Sequence, residues 1–211
     1  MKIYGISGLG ADKRVFKFLT LDFEFISIDW ITPNKNEPLK SYSKRLCEVI
    51  DTEKDFCIIG VSFGGLIATE ISQILKPKMT FLISSAQTNR ELRSIFKWFG
   101  KTNLIKVIPT SLFDPPRFIA KYLFEAKNSK LLYSILDDTD LSFAKWAVNE
   151  LINWKNTVEI ENVLKINGTS DKLIPPKGNT KMELINGGTH FMIVDNADEI
   201  SKIINKTIKN L

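Results

Sequence analysis

Ser62 stands in Gly60-Val61-Ser62-Phe63-Gly64, between an apolar run from Phe56 to Val61 and a helix-like run from Leu66 to Leu75. A strand, a sharp glycine-flanked turn bearing one serine, and then a helix is a geometry that makes a hydroxyl a nucleophile. The glycines leave room for a strained turn that lifts the side chain clear of the sheet edge. The helix that follows points its free N–H groups and positive dipole end at any oxyanion formed there. From ordinary residue frequencies a bare Gly-x-Ser-x-Gly arises by chance in about one chain in fifteen of this size. The weight therefore falls on its surroundings.

The chain has one histidine, His190, in Asn186-Gly187-Gly188-Thr189-His190-Phe191, after a run from Met182 to Ile185 that reads as a strand. Another strand, over 163–167, leads into Gly168-Thr169-Ser170-Asp171, with Ile174-Pro175-Pro176 closing the loop. Ser62, Asp171 and His190 thus come in the order nucleophile, acid, base, each just past the C-terminal end of an expected strand. In open parallel sheets reactive groups converge at that end. The chemistry these types support is acyl transfer to water, with His190 taking the Ser62 proton and Asp171 holding the imidazole tautomer. Each also has a plain structural role, as turn serine, structural histidine and loop-capping aspartate. Asp137, Asp138 and Asp140 are alternative partners for the histidine, and Tyr4 and Asp12 are candidates for substrate contact. No HExxH, Cys/His cluster or Walker loop occurs, so neither a metal nor an organic cofactor is expected.

With these residues in place, the chain resembles the α/β-hydrolase superfamily over nearly its whole length. The resemblance rests on Gly60-Val61-Ser62-Phe63-Gly64-Gly65, on Gly168-Thr169-Ser170-Asp171-x-x-x-Pro175 and on Gly187-Gly188-x-His190. Ile6-Ser7-Gly8-Leu9-Gly10-Ala11-Asp12 looks like the family's oxyanion loop, although many members have His-Gly where this chain has Ser7-Gly8. The resemblance implies an oxyanion hole built from the backbone N–H groups of Leu9 and Phe63. It also implies six parallel strands in the order 2-1-3-4-5-6, without the two leading antiparallel strands common in the family.

The elements that must position these groups read as strand 2–7, helix 13–20, strand 23–29, helix 39–50, strand 56–61, helix 64–75 and strand 79–84. Tyr42, Leu46, Val49 and Ile50 recur at helical spacing in the second helix. The central strands are continuous apolar runs, as in a parallel sheet covered on both faces. Strands 163–167 and 181–185 follow, and then a closing helix over 197–210, with Asn196 and Glu199 spaced like a capping box. This alternation predicts an α/β fold, a doubly wound and mostly parallel six-stranded sheet with right-handed crossovers.

Residues 87–154 break the alternation and read as helices around 90–99, 115–126, 129–137 and 141–153. The resemblance implies a helical cap over the site there, with 1–86 and 155–211 forming the core. The segment holds 11 of the 22 aromatics, among them Phe96, Trp98, Phe118, Phe124, Phe143 and Trp146. Small helices need large side chains to bury enough area, and some of these rings are also expected to line an apolar pocket facing Ser62.

At 211 residues and 44% hydrophobic, the chain has the size of one domain with a substantial core. No run approaches the ~20 apolar residues of a membrane span, and residues 1–6 read as a core strand rather than a leader. Cys47 and Cys57 make no disulfide framework and fit a cytoplasmic setting. The net charge of +5 is spread along the chain, and Lys202, Lys206 and Lys209 face away from Ile200, Ile203, Ile204 and Ile208. A solvated polar face is expected rather than a nucleic-acid or anionic-membrane surface.

The function expected is a serine hydrolase acting on a small carboxylic ester or thioester with an apolar group. Carbon–carbon bond hydrolysis, lyase or acyltransferase chemistry uses the same three residues and stays open, as does a non-catalytic binding role. Dehalogenase and epoxide-hydrolase relatives place aspartate where Ser62 stands, which disfavours that chemistry. Fold alone does not name the substrate.

Overall fold

The computed structural model describes residues 1–102 and 104–211, so Asn103, within the expected cap, lies outside the described residues. Its strands are β1 (Lys2–Ile6), β2 (Glu24–Ile28), β3 (Phe56–Val61), β4 (Met79–Ile83), β5 (Val163–Gly168) and β6 (Met182–Ile185). They form one sheet in the order β2-β1-β3-β4-β5-β6, and every pairing is parallel. That is the expected order.

Residues of β3 and β5 are buried throughout, whereas β2 and β6, at the edges, are largely half-buried or exposed. Successive side chains of a strand point to opposite faces. Tyr4, Ile58 and Leu82 accordingly enter one core, with Leu66 and Ile67 of α2 (Phe63–Leu75) and Tyr42 of α1 (Leu39–Leu46). Ile3, Cys57, Ile59 and Phe81 enter the other, with Ile200 and Ile204 of α9 (Ala197–Lys209). Burying a side chain of this size contributes about 1.5–3 kcal/mol, so the two layers hold the sheet on both faces.

Several local readings change. Residues 13–18 form a 3₁₀ turn, started by Asp12, whose carboxylate accepts from the Arg14 N–H. Helix α1 ends at Leu46 and passes into a 3₁₀ turn over 47–49, which rotates Val49 out to solvent at 59% exposure. Asn196 makes no side-chain cap. The chain reaches α9 through a short helix, α8 (Met192–Asp195), and the Asn196 N–H is already bonded to the Met192 carbonyl. The apolar run 191–194 that forms α8 is too short for helical periodicity to reveal.

Between β4 and β5 the chain runs through α3 (Ser94–Thr102), α4 (Leu104–Val107), a 3₁₀ turn over 110–113, α5 (Arg117–Phe124), α6 (Ser129–Asp137) and α7 (Leu141–Asn153). The first helix of this stretch starts later than expected, because Gln87 and Glu91 are committed to anchoring its lead-in. Glu91 pairs with the buried Lys165 of β5, and the Gln87 side chain bonds the Ile160 carbonyl and the Thr180 hydroxyl. Helix α7 is tied to the core along its length. Trp146 Nε1 donates to the Glu37 carbonyl (2.8 Å), Glu150 accepts from the Leu39 N–H at the start of α1 (2.8 Å), and Trp154 Nε1 donates to Glu70 (2.8 Å).

Candidate active site

Strand β3 ends at Val61, and Ser62 makes the turn into α2 with φ 51° and ψ −119°, a backbone state that non-glycine residues seldom adopt. The turn is held from both sides: the Ser62 N–H bonds the Ile83 carbonyl (2.9 Å), and Ser85 Oγ donates to the Ser62 carbonyl (2.6 Å). Gly64 is required by close approach, since a Cβ there would lie 2.1 Å from the Ser7 carbonyl oxygen. The start of α2 thereby packs directly on the loop that follows β1.

That loop lies beside the serine, and a Cβ on Gly8 would stand 3.4 Å from Ser62 Cβ. Ser7 Oγ donates to the Ala11 carbonyl (2.8 Å), which also accepts from Trp30 Nε1 (2.8 Å), so side chains close the loop 7–11. The backbone N–H of Phe63 opens α2, in the first turn, where no helical carbonyl precedes it.

Asp171 and His190 come from adjacent loops after β5 and β6. Gly168 lies so close to Gly188 that a Cβ would sit 2.1 Å from the Gly188 carbonyl oxygen, and the Ser170 N–H bonds that same oxygen (2.9 Å). This clasp brings the two side chains together. His190 Nδ1 is 3.0 Å from Asp171 Oδ1 and 2.9 Å from Oδ2, and its Nε2 is 2.8 Å from Ser62 Oγ. A carboxylate can only accept, so Nδ1 carries the ring proton and Nε2 is left to accept from the serine hydroxyl. Both His190 and Asp171 are only 4% exposed. Asp171 also closes its own loop, because Oδ1 accepts from the N–H groups of Leu173 and Ile174, each at 2.9 Å.

The other candidates lie elsewhere. Asp137 pairs with Arg117 and Asp138 with Arg14, while Asp140 caps α7 through the N–H groups of Ser142 and Phe143. Tyr4 is buried in the core, its hydroxyl accepting from the Asp51 N–H, and Asp12 is paired with Arg14. Neither lines the cavity beside Ser62.

A cavity of about 260 Å³ opens over Ser62 and His190 and is walled by apolar side chains. Gly8 and Leu9 contribute from the first loop, Phe96 from α3, Leu123 and Phe124 from α5, Val148 and Leu151 from α7, and Leu173 and Ile174 from the Asp171 loop. The Phe124 ring stands 5.5 Å from the His190 ring. The aromatics of 87–154 thus have three fates. Phe96 and Phe124 face the cavity; Phe143 and Trp146 pack with Trp30 and Tyr42; and Trp98, Phe118 and Tyr122 are exposed. Ser85 and Trp30 escaped sequence reasoning, since neither lies in a recognisable motif. Among the described residues no group of His, Cys, Asp and Glu is arranged to hold a metal ion.

No family model matches the sequence, and no curated protein matches it. Solved structures do match in shape. A malate-bound thermophilic esterase from Thermogutta terrifontis is 12% identical, covers 100% of this chain and 90% of its own, and superposes with a TM-score of 0.75. The RedJ thioesterase of the prodiginine pathway in Streptomyces coelicolor is 12% identical, with coverage of 98% and 89% and a TM-score of 0.71. A hydrolase from Oleispira antarctica is 16% identical, with coverage of 100% and 91% and a TM-score of 0.70. The chain has the α/β-hydrolase fold.

Proposed function

We propose that the protein is a serine hydrolase that cleaves a small carboxylic ester or thioester through an acyl-enzyme on Ser62. The observation that carries this reading is the 2.8 Å contact between Ser62 Oγ and His190 Nε2, with Asp171 on the opposite ring nitrogen. His190 takes the hydroxyl proton as Ser62 Oγ attacks the carbonyl carbon, and Asp171 stabilises the imidazolium that forms. The backbone N–H groups of Leu9 and Phe63 receive the oxyanion, a contribution of about 3–4 kcal/mol each by precedent. His190 then returns its proton to the leaving alcohol or thiol, and water, activated by the same ring, releases the acid.

The apolar walls select the substrate. A cavity of about 260 Å³ with these walls suits a compact apolar acyl group rather than a long chain. Residues 87–154 act as a cap on the core formed by 1–86 and 155–211, with α3, α5 and α7 supplying the roof of this cavity. Free Cys47 and Cys57 fit a reducing, cytoplasmic setting.

The test is a panel of chromogenic esters and thioesters of rising acyl length, run on wild type and Ser62→Ala. Turnover of esters and thioesters by wild type, lost in Ser62→Ala, supports the reading. Equal rates in both proteins, or no turnover of any ester or thioester by folded wild type, would refute it.

A further inference from the structure

The chain from α3 to α5, whose two end helices help wall the Ser62 cavity, also exposes many large apolar side chains. Of the sixteen large hydrophobic side chains exposed among the described residues, nine fall within residues 95–122. Phe118 is 74% exposed, Val107 78%, Leu112 70%, Tyr122 66% and Trp98 57%. Single exposed apolar residues are ordinary, but so many within one short stretch of chain suit an interaction site. The same stretch is basic. Residues 92–124 contain six Lys and Arg against one Asp, a net +5, which equals the net charge of the whole chain. The remainder is therefore neutral. Sequence reading misses this asymmetry when it counts only runs of adjacent charges.

We infer that this outer face of the 92–124 segment docks the protein on an anionic lipid surface. Helices α3 and α5 turn Phe96 and Leu123 inward to the cavity while presenting Trp98, Phe118 and Tyr122 outward. Trp and Tyr favour the boundary between water and hydrocarbon, where ring and polar tip are both accommodated. Exposed Lys101 and Lys121 on the same helices match anionic headgroups. A second copy of the chain is a poorer occupant, because a two-fold interface would bring this face, with exposed Lys101 and Lys121, against its own like-charged copy. The docking rests on this face alone and not on the chemistry at Ser62.

Sedimentation with vesicles of equal phosphatidylglycerol and phosphatidylcholine, against phosphatidylcholine alone, tests the inference on the full chain. Wild type is expected to partition at least about tenfold more strongly to the anionic vesicles, with binding weakening as salt rises from about 0.05 to about 0.5 M. Lys101→Glu/Lys121→Glu should lose about tenfold or more of that binding. Trp98→Ala/Phe118→Ala should lose a similar factor while hydrolysing a soluble short-chain ester within about twofold of wild type. Ser62→Ala should bind vesicles like wild type, so docking and catalysis can fail separately. Equal binding to both vesicle types, no binding by folded wild type, or full binding by the charge-reversal variant would overturn the inference. So would a stable dimer in light scattering that Phe118→Glu disperses, which would assign the face to a second copy.

Discussion

The Ser85 hydroxyl donates a 2.6 Å hydrogen bond to the Ser62 carbonyl, joining the residues after β4 to the turn that holds Ser62. The positive φ of Ser62 costs on the order of 1–3 kcal/mol, so it persists only where neighbours enforce it. Ser85 is fully buried, and without its hydroxyl the carbonyl keeps the Gly65 N–H at 2.9 Å. Ser85→Ala is expected to lower stability by about 1 kcal/mol and to reduce kcat several-fold with KM little changed. Urea unfolding and ester kinetics on the same preparation measure both effects. An unchanged kcat would show that the turn holds without this bond.

Asp171 serves His190 and its own loop at once, so its two replacements separate the roles. Asp171→Asn keeps an acceptor oxygen for Leu173 and Ile174 but presents the wrong charge to the ring. We expect kcat to fall about 10³-fold or more with near-native stability. Asp171→Ala should also lower the melting temperature, because it strips the two backbone N–H groups of their acceptor.

In the proposed reaction Nε2 accepts the Ser62 proton, so protonating His190 removes the base. The value of kcat/KM should fall on acidification, and a profile without an acid limb would count against a histidine base.

Leu151 reaches the cavity from α7, the helix best tied to the core. Leu151→Phe adds bulk that α7 cannot move aside to accommodate. The preferred acyl length should shorten by about two carbons, with acetate esters little affected. A length series of chromogenic esters reads this directly.

Burial pushes the Cys57 thiol up to about 11. The folded value lies above the ordinary thiol range of about 8.5, so the folded chain holds its proton where the unfolded chain releases it. The stability from this difference is fully present below about pH 8.5 and is lost as pH rises towards 11. A thiol reagent at neutral pH should label half-buried Cys47 well before Cys57, with Cys57 reacting on unfolding. Stability should also fall less steeply above pH 9 in Cys57→Ala than in wild type.

Short-range patterning determined the strands and the main helices, since alternation, apolar runs and glycine turns act between near neighbours in the chain. The same patterning put Ser62, Asp171 and His190 each at a strand end, because a turn needs only local residues to form. What tertiary structure decided lies between elements far apart in sequence. The clasp of Gly168 on Gly188 sets the distance from Asp171 to His190, and Ser85 braces a residue 23 positions earlier. Which aromatics of 87–154 face the cavity, the core or solvent depends on how whole helices rotate as they pack. No single helix carries that information, because the free energy that orients it comes from the surface it covers.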